Sequence, residues 1–176
     1  MKSLLGLAEP ARLEVGRLLN LLLADETMLY ITTRDYHWNV TGPCFASLHQ
    51  QFETQYEQIA DWIDQIAERA RALDVGACGN WAELTDAARC SATAGIELSA
   101  EEMITALLAL HESLIAQLRT DSDACTTQHH DAGTADFLTG LMEKHEKTAW
   151  MLRAQLEGAE PEATARPKRK LQSTAS

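Results

Sequence analysis

The chain has 176 residues, 45% of them hydrophobic and 23% charged, with a net charge of −11. That length fits one domain with a core of ordinary size, and the composition is that of an ordered globular chain. No run of about 18 uncharged apolar residues occurs, which excludes a transmembrane helix, and the start is too short and too charged after Ala8 for a secretory signal. The charge is uneven: residues 166–176 carry four cations and no acid, which leaves −15 on the rest. The body should repel nucleic acid and attract cations, whereas the tail, through Arg166, Lys168, Arg169 and Lys170, has the chemistry to touch phosphate. Cys44, Cys78, Cys90 and Cys125 lack CxxC spacing. They read as reduced structural thiols in a cytoplasmic protein.

Taken in order, residues 1–10 read as a flexible start. From Arg12 to about Tyr36 the residues Leu13, Leu18, Leu22, Met28 and Ile31 recur at helical spacing and predict a first long helix. A link from His37 to Pro43 turns the chain into a second helix, about Phe45 to Leu73, whose apolar set includes Leu48, Phe52, Tyr56, Ile59, Ile63 and Ile66. The stretch from Asp74 to Leu98 is long for a bundle loop. It holds a small helical patch at Trp81–Arg89, and it can cross a whole bundle, making the second and third helices parallel. Ser99 followed by Glu102 is a capping box that opens a third helix, with Met103, Leu107, Leu110, Leu114 and Leu118 as its apolar face. A polar loop is expected at 121–133, then a fourth helix from about Thr134 to Glu157, stopped by Gly158 and Pro161. Residues 159–176 read as a disordered basic tail. The fold class is therefore all-α: over 11–158, a ferritin-like four-helix bundle with a short extra helix in its long connection.

The second helix carries the chemistry. At about 100° per residue, His49, Glu53, Asp64 and Glu68 fall on one stripe. At about 1.5 Å per residue, His49 and Asp64 lie roughly 22 Å apart and cannot hold one ion within a chain. A two-fold axis near Gln58 and Ile59 would place His49 and Glu53 of one copy opposite Asp64 and Glu68 of another, forming two identical shared sites. His37, across the Gly42-Pro43 turn, could complete each. Two imidazoles and two carboxylates suit redox-active Fe(II). Against this, acidic pairs at i, i+4 are common on any helix surface. The Glu-x-x-His motif of intra-bundle di-iron centres is missing, because Arg34, Ala46, Leu108, Thr126, Thr127 and Met142 stand three before the histidines.

These residues carry a resemblance. His37-Trp38-Asn39-Val40, Gly42, Phe45, Leu48-His49, Ile63-Asp64 and Ala67-Glu68-Arg69 resemble the signature of the Dps family, the ferritin-like DNA-binding proteins from starved cells. Residues 143–153, EKHEKTAWMLR, are similar to that family's last helix. The resemblance covers roughly residues 10 to 158. It implies a hollow dodecamer that oxidises Fe(II), preferably with hydrogen peroxide, stores ferric mineral and protects DNA under starvation or stress. It implies His37 and His49 as ligands from one subunit and Asp64 and Glu68 as ligands from the two-fold partner. Glu53 stands where the family commonly has aspartate, near the second metal position, and Trp38 resembles the tryptophan beside the iron that intercepts radicals. By analogy Asp123, Asp131 and Asp136 line an iron-entry pore on the three-fold axis.

Other residues read as ordinary. His129 and His130 are loop residues, His111 and His145 are not expected to ligate, and Trp62, Trp81 and Trp150 read as packing or interface positions. Cys44 lies in the loop near the site. The alternative to a ferroxidase is a nucleoid-associated protein that shields DNA through its tail, and a third reading is a metal-free helical scaffold.

Overall fold

The computed structural model describes residues 5–91 and 94–157, all helix and loop. The expected tail, with Arg166, Lys168, Arg169 and Lys170, lies outside the described residues, as do residues 1–4 of the expected flexible start. Helix α1 (Glu9–Asn39) begins with Glu9 and a proline in its first turn, which suits the unpaired N–H groups and positive end of a helix N-terminus. It therefore takes in the end of the stretch expected to be flexible. Gly42, at φ 102°, supplies the left-handed backbone that turns the chain into α2 (Phe45–Ala72).

Beyond α2 the chain climbs back along α1. Val75 lies against Gly16, Cys78 N–H donates to Asn20 Oδ1, Arg89 pairs with Asp25, and Gly95 N–H donates to Asp35 Oδ2 at 2.6 Å. Leu73, by contrast, accepts a bond from Arg12 near the start of α1. The crossover thus runs the length of α1, so α4 starts where α2 started and runs parallel to it, as the sequence predicts. Within it lie α3 (Trp81–Ala87), capped by Asn80, and a 3-10 turn (Gly95–Glu97). Gly95 is required there: a Cβ would sit 2.7 Å from the Tyr36 ring.

Helix α4 (Ala100–Thr127) opens with the predicted capping box. Ser99 N–H donates to Glu102 Oε2 at 2.8 Å, and Glu102 N–H donates back to Ser99 Oγ. The Ser99 bonds hold the Glu102 carboxyl below its ordinary range. The expected polar loop at 121–133 is corrected, because α4 continues to Thr127. Asp121 and Cys125 extend its buried stripe, and the Thr126 and Thr127 hydroxyls donate to carbonyls one turn back. Only residues 128–131 link α4 to α5 (Ala132–Leu156).

The core runs between the α1–α2 and α4–α5 hairpins. In α1 the buried stripe is Val15, Leu19, Leu22, Glu26, Leu29, Thr33 and Tyr36. Of the apolar face expected there, Leu13 and Ile31 are instead exposed, at 50% and 40%. Among the described residues no helix is long and apolar enough to cross a membrane.

Candidate metal centre

His37 sits in the last turn of α1 and His49 in the second turn of α2, joined by the Gly42-Pro43 link. Their rings stack, with centroids 3.8 Å apart and planes 22° from parallel. The His37 Nδ1 lies 2.8 Å from the His49 carbonyl oxygen, and the His49 Nδ1 lies 2.9 Å from the His37 carbonyl oxygen. A carbonyl only accepts, so both Nδ1 atoms carry the proton and donate. In the neutral rings each Nε2 is then a bare lone pair, the tautomer a metal ligand needs. The link between the helices thus fixes two potential ligands in orientation and protonation before any metal arrives.

Around the pair lie aromatic rings. Phe45 is 5.1 Å from His49 and Tyr56 meets His37 edge-on at 5.3 Å. Burial first, then the negative charges of Glu53 and Glu57, push the Tyr56 phenol above its ordinary value. The Arg34 guanidinium lies over Trp38, Tyr56 and Tyr30 at 5.2, 5.4 and 5.7 Å, and receives a fixed position from the Tyr30 hydroxyl, to which it donates. Trp38 is 63% exposed and shares a surface groove with Ile31, and Phe45 is open beside His49. So much apolar surface next to a polar site marks a place where another surface belongs. Asp35, one turn before Asn39, accepts from both Asn39 and Gly95, fastening the crossover to the end of α1 that carries His37.

The carboxylates predicted for the site are not with the histidines. Glu53 is half-buried, one turn along α2 from His49, and accepts from Gln50 at 3.2 Å. Asp64 and Glu68 are exposed much further along the same helix. Among the described residues no three His, Cys, Asp or Glu side chains converge to hold one ion within the chain. Within one chain the histidine pair and the carboxylates Asp64 and Glu68 thus stand apart along α2.

Of the pore residues, Asp123 and Asp136 are exposed. Asp131 is corrected: it is 4% exposed and is the N-cap of α5. Its Oδ1 accepts from Thr134 N–H at 3.0 Å and its Oδ2 from the Thr134 hydroxyl at 2.6 Å, while Arg69 pairs with it at 3.2 Å. Buried, paired with Arg69 and bonded twice to Thr134, this carboxylate serves as a helix cap and faces no open channel in the single chain.

The sequence reading also passed over three anchors: Asp25 with Arg89, Asp35 with Gly95, and Glu26 with His145. Each joins residues far apart in the chain, where periodicity carries no signal.

Comparison with known proteins agrees with this architecture. The ferritin-like domain model matches residues 17–160. A low temperature-induced protein of Nostoc sp. is 45% identical over 162 residues, covering 91% of this chain and 90% of the relative. The DNA protection during starvation protein of Brevibacillus brevis is 34% identical over 143 residues, covering 81% of this chain and 95% of the relative. Among solved structures, the Dps protein of Vibrio cholerae, described as one of the ferritin-like diiron-carboxylate proteins, superposes with a TM-score of 0.83 at 28% identity. That match covers 88% of this chain and 96% of the other. Helix count, long crossover, histidine pair and these likenesses converge, and the chain belongs to the Dps family of ferritin-like proteins.

Proposed function

We propose that the chain is an Fe(II)-oxidising, iron-storing subunit whose reactive centre is completed by a two-fold partner. The single observation that carries this is the reciprocal lock of His37 and His49, which leaves both Nε2 lone pairs available. An antiparallel pairing of α2 with its own copy about Gln58 brings Asp64 and Glu68 of the partner subunit to that pair. Family membership supports iron as the substrate and an oligomer, read here as a dodecamer, as the working form.

In this reading the imidazoles and carboxylates hold Fe(II) at a site with few protein ligands, and Glu53 attends the second metal position. Two Fe(II) ions give one electron each to hydrogen peroxide. Its O–O bond breaks and, with two protons, both oxygens leave as water, so no hydroxyl radical escapes. Trp38, its ring under the Arg34 cation, stands ready to intercept a stray one-electron oxidant. Asp123 and Asp136 draw the cation inward, and Asp131 shapes the entrance by capping α5.

The test is anaerobic Fe(II) loading followed by a peroxide pulse, reading ferric absorbance and residual peroxide. Fast oxidation consuming about one peroxide per iron pair, lost in His49→Ala with Asp64→Ala, is expected. Equal slow rates in both proteins would sink the proposal.

A second activity, DNA shielding, rests on the cationic tail, with Arg166, Lys168, Arg169 and Lys170 and no acid in 166–176. Twelve copies would multiply a weak contact. Removing residues 166–176 should abolish salt-sensitive DNA retardation and leave iron oxidation intact.

A further inference from the structure

Away from the histidine pair, the four long helices each send one residue to a common place in the bundle interior. They are Glu26 from α1, Trp62 from α2, His111 from α4 and His145 from α5. Glu26, His111 and His145 are 0%, 1% and 0% exposed. Glu26 Oε1 lies 2.7 Å from His145 Nε2, and His145 Nδ1 lies 2.9 Å from His111 Nδ1. Trp62 packs on His145 at 4.9 Å between ring centroids. The carboxylate approaches His145 without the alignment of a hydrogen bond, and Glu26 Oε1 and Oε2, His111 Nε2 and His145 Nε2 are all left without one. None of these residues belongs to the centre described above.

Ferritin-like di-iron bundles fill such a place with metal, held by inward glutamates and Glu-x-x-His motifs from four helices. The residues here do not fit that group. One helix contributes tryptophan, a single carboxylate is present, and among the described residues no three ligating side chains converge on a point. The cause is His145, whose two nitrogens face opposite ways, one to Glu26 and one to His111. An ion at either end would miss the third residue. Yet a buried carboxylate must be neutralised, and a proton does so without needing room or further ligands.

We propose that Glu26, His145 and His111 form a proton-bridged line in place of an intra-bundle metal centre. One proton shared by Glu26 and His145 neutralises the carboxylate, and a further proton at His111 is admitted only when the bundle opens.

The surroundings leave His111 no anion of its own. On α1, Asp25 is taken by Arg89 at 2.6 Å. From the crossover, Cys90 faces Asp25 and Glu26 with its thiol pushed up to about 11 by burial and then by Asp25, so it stays neutral. Trp62 is the α2 member, and on α5 Lys144 Nζ lies 5.7 Å from the Trp62 ring centre. Burial first, then His145, holds His111 well below the ordinary histidine range. A histidine depressed in the folded state contributes stability above its unfolded value, near 6.5, and loses it as pH falls below.

Urea unfolding of the full chain at pH 7.5 and 5.5, at one protein concentration, tests this against His111→Gln. Over that interval His111 alone should raise the wild-type unfolding constant about tenfold per chain, and His111→Gln should lack that share. Equal pH responses in the two proteins would overturn the proposal. His111→Asn replaces the glutamine variant if that one does not fold. Cobalt(II) titrated into metal-free protein carrying His49→Ala and Asp64→Ala supplies an independent readout. No saturable visible spectrum is expected from the bundle interior. A stoichiometric spectrum abolished by adding Glu26→Gln would overturn the proposal and make the line a metal site.

Discussion

A neutral imidazole has one donor nitrogen and one acceptor, and at His37 and His49 the backbone decides which is which. Both residues were legible in the sequence, because a His-Trp-Asn-Val stretch and a histidine one helical turn past Phe45 are specific signals. The lock between them was not, since it depends on two carbonyl positions set by the turn at Gly42. His49→Ala keeps the backbone carbonyl that orients His37 but removes one proposed ligand and the ring stacked on the other, so it alone should slow peroxide-driven Fe(II) oxidation by more than about tenfold. Stopped-flow ferric absorbance reads this directly. The thiols divide by environment in the same way. Burial pushes Cys90 and Cys125 up to about 11, whereas Cys44 is exposed. At pH 8 iodoacetamide should label Cys44 of the unassembled chain first, with Cys125 slowest, as followed by intact mass.

Among the elements, α4 was the easiest to foresee and α1 the hardest. The Ser99–Glu102 box and an unbroken leucine ladder announced α4, though not its last turn, where Asp121 rather than a hydrophobe carries on the buried stripe. In α1 the true stripe contains Glu26 and Thr33, two polar residues that hide the period, and the eye goes instead to Leu13 and Ile31 on the outer surface. What holds Glu26 in the core is His145, 119 positions away in the chain, a pairing no local pattern encodes. The crossover is fastened by several long-range ties, of which Arg89 makes the most bonds. Arg89 bonds Asp25 through both backbone and side chain and reaches Asp121 at 3.4 Å. Arg89→Ala leaves Asp25, at 1% exposure, buried without its cation. It should cost about 3 kcal/mol in urea unfolding, against about 1 kcal/mol for Ser99→Ala at the α4 cap.

At the scale of the whole molecule the proposed centre is shared, its histidines from one subunit and its carboxylates from another. If the partner's carboxylates complete each centre, mixing inactive variants should restore activity. A pair made of one His49→Ala chain and one Asp64→Ala chain holds one doubly damaged centre and one intact centre. Random reassembly of equal amounts should therefore recover about a quarter of wild-type oxidation, measured after joint refolding against each variant refolded alone. No recovery would place all ligands within one subunit. The short span of the histidine lock, twelve positions, bears on the order of events in a newly made chain. Contacts so local close early in folding, whereas in the proposed centre the acidic half arrives only by collision with another finished subunit. On the proposed centre, a new chain would hold iron's docking point but not the means to oxidise it, and assembly itself would switch the chemistry on as the container for its product is built.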